Sequence, residues 1–114
     1  MTISKIHKIS KEVECCGHKL VFESLTYGDV MLLLEKMNAL QSSNLSPELI
    51  SMFINLINVS LHLKKIDDKE LSFEQKKEFL ESLSPEEMIE LTKIVNEIAQ
   101  EKEKLLEELK KNSK

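Results

Sequence analysis

At 114 residues with a net charge of −4, the chain is sized for one domain spanning 1–114, and its sixteen basic residues are all lysine. Arginine reads guanine edges and clamps phosphates bidentately, so its absence, with the acidic balance, excludes nucleic acid as an expected partner. No segment offers the roughly 18 to 20 apolar residues of a membrane span or the apolar stretch of a signal peptide, and adjacent Cys15 and Cys16 suit a reducing compartment, so a cytoplasmic protein without membrane contact is expected.

Residues 1–11 are polar with scattered Ile3, Ile6 and Ile9, and read as a loose arm or an edge strand. A β-hairpin is predicted over 12–25. Leu20, Phe22 and Ser24 alternate with Val21, Glu23 and Leu25, the period of a half-buried strand. Gly17, beside Cys16, supplies the positive φ that a tight turn needs. A helical body over 26–100 follows. Thr26 caps the first helix with Asp29 in its first turn, and Val30, Leu33, Leu34, Met37 and Leu40 run along it to a polar connector at 41–44.

The second helix opens at Ser46-Pro47-Glu48 and extends to about Leu63, with apolar residues nearly all round, which places it at the centre of a bundle or in an interface. Residues 64–70 read as a charged turn. Ser72 and Gln75 form a capping box that starts a short helix through Phe73, Phe79 and Leu80. Ser84-Pro85-Glu86, with Glu87 completing another box, opens the longest helix. Its seam of Met88, Leu91, Val95, Ile98, Leu105 and Leu109, with Lys102 in the vacant position, spans about three and a half heptads. Residues 101–114 are a charged helical tail. The expected fold is therefore mainly α: an N-terminal β-hairpin followed by a small four-helix bundle with a long C-terminal helix.

Little in the chain carries chemistry. Cys15, Cys16 and His18 fall short of the four spaced ligands of a zinc site, and His7 and His62 are too remote to complete it. His62 lies between Leu61 and Leu63 without a placed nucleophile, and Asp67-Asp68 lacks the alternating oxygens and central glycine of a calcium loop. There is no glycine-rich phosphate loop. The expectation is a non-enzyme without metal or other cofactor, acting through protein partners. Helix two, through Ile54 and Ile57, is expected to contact a second copy, making a homo-oligomer, because so small a bundle cannot cover every side of it. Leu105, Leu106 and Leu109 continue an apolar seam into a charged segment and are expected to dock a partner helix.

The stretch from Lys19 through Leu25-Thr26-Tyr27-Gly28-Asp29 resembles the strand, Leu-Thr, helix opening of the tail assembly chaperones of long-tailed bacteriophages. Ile66-Asp67-Asp68-Lys69 is similar to the Ile-Asp-Gly-Lys turn that follows their central helix, with Asp68 where the glycine is expected. Leu83-Ser84-Pro85-Glu86 resembles the start of their closing helix, so the likeness covers roughly 19–100. The resemblance implies a non-catalytic helper in the host cytoplasm that binds the tape-measure protein and keeps its apolar helices soluble. The small hub-assembly proteins of contractile tails share this shape. An acidic helical binding module, such as an immunity or toxin-neutralising protein, is the competing reading.

Overall fold

The computed structural model describes residues 8–112; the earlier part of the N-terminal arm and the last two residues of the tail lie outside them. Strands β1 (Ser10–Cys15) and β2 (His18–Glu23) form the expected hairpin, so the described end of the arm is an edge strand. Cys16 and Gly17, with φ of 55° and 80°, make the two-residue turn whose twist matches the strands on either side. Leu20 and Phe22 are fully buried. Ser24 follows them inward, its hydroxyl accepting from the Ile9 amide at 3.2 Å.

The helices α1 (Tyr27–Gln41), α2 (Pro47–His62), α3 (Phe73–Glu81) and α4 (Pro85–Asn112) begin where the caps place them. Thr26 with Asp29, Ser72 with Gln75 and Ser84 with Glu87 each close a reciprocal capping box, and Ser46 accepts from the Leu49 amide.

The charged turn expected at 64–70 is instead a second hairpin. α2 runs without a loop into β3 (Leu63–Ile66), which turns through Asp67 and Asp68 into β4 (Lys69–Glu70). β3 adds to β2, giving an antiparallel sheet in the order β1-β2-β3-β4. Leu63 and Ile66 are three residues apart, a spacing that a regular strand would send to opposite faces. The register places Val21 opposite Lys65 and Phe22 opposite Leu63, so Lys64 is an extra, bulged residue that returns both apolar side chains to the core.

The four expected helices are present, but this hairpin joins the first one in a sheet that helices pack against. The described residues are 64% helical, but their core lies between one face of the sheet and the helices that cover it. Leu20, Phe22, Leu63 and Ile66 from the sheet meet Val59 of α2, Leu80 of α3, and Leu91, Val95 and Ile98 of α4. Helix α2 packs against α1, α3 and α4, while α4 also lies against β1. No residue of α1 is fully buried. That helix is held by α2, by the half-buried ion pair of Asp29 with Lys64 at 2.7 Å, and by Lys36 over the Phe73 ring.

Asp67 and Asp68 both sit in the left-handed region, at φ of 52° and 66°. Asp67 earns its place there: it accepts from the Lys19 amide at 2.9 Å and pairs with His18 at 2.6 Å. Asp68 makes only an exposed, solvent-screened ion pair with Lys19, against a left-handed penalty of about 1 kcal/mol that glycine avoids. Asp68→Gly is therefore expected to raise stability in urea by up to about 1 kcal/mol. A loss would show that the ion pair outweighs the backbone strain.

Candidate functional site

The sequence-predicted contact residues separate once folded. Leu105, Leu106 and Leu109 lie beyond Ile98, the last core residue of α4, and are 36%, 44% and 39% exposed. The seam therefore has two halves: Leu91, Val95 and Ile98 close the core, whereas the leucines after Lys102 face outward. Lys11 of β1 pairs with Glu97 and Glu101 at 3.1 Å, fixing α4 at the point where the outward half begins.

Ile54 is half-buried and Ile57 is buried within the single chain, so Ile57 offers little surface of its own to a second copy. Helices α1 and α3 flank that side of α2, and Ile57 forms part of the floor of a groove of about 360 Å³ with Leu40, Leu45, Phe53 and Phe73. A second groove of about 360 Å³ lies between α2 and the start of α4, where Leu49, Met52, Leu83 and Met88 line it. Phe53 and Leu56 border both, so the first half of α2 is an apolar ridge between two apolar troughs.

Tyr27, Met31 and Leu34 on α1, with Leu49 and Met52 on α2, are exposed and were not singled out as contact residues from the sequence. The signal was present: residues 30–34 of α1 are five consecutive apolar residues, which span more than one helical face, and a single neighbouring helix covers only one. Tyr27, Met31 and Leu34 follow the four- and three-residue steps of one stripe. No helix among the described residues is long and apolar enough to cross a membrane.

Of the residues weighed for chemistry, His62 is structural. It is 3% exposed, and its Nδ1–H donates to the Asn58 carbonyl at 2.8 Å. Burial, reinforced by the Lys64 charge and only partly opposed by the Asn58 carbonyl, holds its pKa below the ordinary 6.5. The unfolded chain therefore takes up the proton more readily than the folded one. Stability is complete above the ordinary value and declines as pH falls through it toward the depressed folded value. Melting temperature is expected to drop between about pH 7.5 and about pH 5, and His62→Asn, which keeps a donor near the Nδ1 position, should flatten that drop. An unchanged profile would mean that the ring ionises freely. Asp29 does not confuse this window. Burial pushes its carboxyl up, but the Lys64 ammonium and the Thr26 amide together bring it below the ordinary carboxylate range, so its contribution is lost only at lower pH.

His18 is drawn away from the cysteines by Asp67 and stands edge-on to Phe79 at 5.5 Å. Glu87 takes its place beside them. The hairpin turn rests on the first turn of α4, where Cys15 Sγ lies 3.9 Å from Cys16 Sγ and 4.0 Å from Glu87 Oε2, and the Cys16 thiol donates to that same oxygen. The Glu87 carboxylate, then burial and Cys15, push the Cys16 thiol up to about 12, while the thiol and the Ser84 amide hold Glu87 below its usual range. A protonated thiol is a poor nucleophile, so this geometry does not favour covalent catalysis by Cys16. No protein-family model, curated protein or solved structure matches the chain.

Proposed function

We propose that the chain is a non-catalytic tail assembly chaperone that shields apolar helices of a tape-measure protein during phage tail morphogenesis. The observation that carries this reading is apolar surface left uncovered on three helices: Tyr27, Met31 and Leu34 of α1, Leu49 and Met52 of α2, and Leu105, Leu106 and Leu109 of α4. Troughs beside α2 and an outward leucine row on α4 suit the apolar stripe of an amphipathic partner helix. The Glu and Lys residues around that row keep the free protein soluble.

The test is co-expression with a candidate tape-measure protein, sought among the genes neighbouring this one. A larger soluble fraction and a co-purifying complex are expected. If the tape measure behaves identically with and without the chain, the chaperone reading fails, and the acidic binding module of the immunity kind becomes the leading account.

A further inference from the structure

We propose that Cys15, Cys16 and Glu87 bind a thiophilic divalent cation, Zn²⁺ by preference, which pins the β1–β2 turn to the first turn of α4. Their three ligand atoms all lie within 4.8 Å of one another and come from elements 71 residues apart in sequence. Two thiolates on one tetrahedral zinc, each at about 2.3 Å from it, stand about 3.8 Å apart. The observed separation of Cys15 and Cys16 is 3.9 Å. A carboxylate oxygen completing the same tetrahedron stands about 3.6 Å from each sulfur, close to the 4.0 Å between Cys15 and Glu87. The third pair, Cys16 with Glu87, is in direct contact, and a bound cation would take the place of the thiol proton there.

The support around the ligands is of the kind metal sites use. The Ser84 amide donates to Glu87 Oε1 at 2.9 Å, which orients the carboxylate and leaves Oε2 for the sulfurs. Positive φ at Cys16 and Gly17 brings the second thiol back beside the first. The three ligands border a cavity of about 400 Å³ that Glu90 also lines, giving room for a water as the fourth ligand and adding negative charge. Two sulfurs with one carboxylate select a borderline-soft ion over calcium or magnesium, which take oxygen. The two thiols are fixed locally by the hairpin turn and the carboxylate by the capping box, and only their meeting depends on the fold.

The experiment uses the whole chain, reduced and stripped of metal. It is titrated with Zn²⁺ against a chromophoric chelator and with Cd²⁺ while following thiolate-to-metal absorption in the ultraviolet. One ion per chain, bound more tightly than about 10 μM, is expected. Cys15→Ser and Cys16→Ser should each reduce the charge-transfer band and weaken binding more than about tenfold. Glu87→Gln can still close the capping box, so it should keep the fold by circular dichroism yet bind at least about tenfold more weakly. Binding weaker than about 10 μM, one ion shared by two chains, or Glu87→Gln binding like the wild type would each overturn the site.

Discussion

Phe22→Ala is expected to lower the unfolding free energy by about 3–5 kcal/mol, enough to leave so small a protein largely unfolded at physiological temperature. Phe22 is fully buried on β2, opposite Leu63 at the bulge, where the sheet meets the helices. Truncation leaves a void that neither neighbouring strand can close, because both are tied by the ladder. Urea denaturation measures the effect directly. Tyr27→Ala, at an 82% exposed position, removes a larger aromatic and is expected to change stability by less than about 0.5 kcal/mol. Similar costs for the two would place the core elsewhere.

The second large effect is on partner capture. Leu105→Glu with Leu109→Glu should change stability by less than about 1 kcal/mol, since both side chains lie past the core and are already more than a third exposed. On the proposed chaperone reading, the same pair should abolish any gain in soluble tape measure, because two charges would enter an apolar helix-to-helix seam and stay unpaired there. Ile98→Glu is the contrasting variant. It lies on the same seam one heptad before Leu105, is fully buried, and should unfold the protein. Retained capture by the double mutant would move the docking surface to α1 and α2, where Met31 and Met52 are the residues to change next.

The two halves of that seam look alike in the sequence. Leu105 and Leu109 continue the spacing of Leu91, Val95 and Ile98, and nothing local says where cover stops. The end of cover is set by how far β1 and α2 extend beside α4. Ile57 illustrates the reverse case: an all-round apolar helix reads as having spare surface, but the placement of α1 and α3 closes the side on which Ile57 lies.

Features that depend on residues within about four positions of one another were legible before the fold was known. The capping boxes at Thr26, Ser72 and Ser84, the turn at Cys16-Gly17 and the inward alternation of Leu20, Phe22 and Ser24 are all of this kind, because each is set by the local geometry of the backbone. Tertiary structure alone decided the rest. A bulge at Lys64 made a strand of a segment whose apolar spacing does not alternate, and the docking of the hairpin on α4 brought Glu87 to two cysteines whose own spacing offers no third ligand. Both depend on which surfaces meet across the chain, and that is settled by the summed burial of the core rather than by any neighbouring residue.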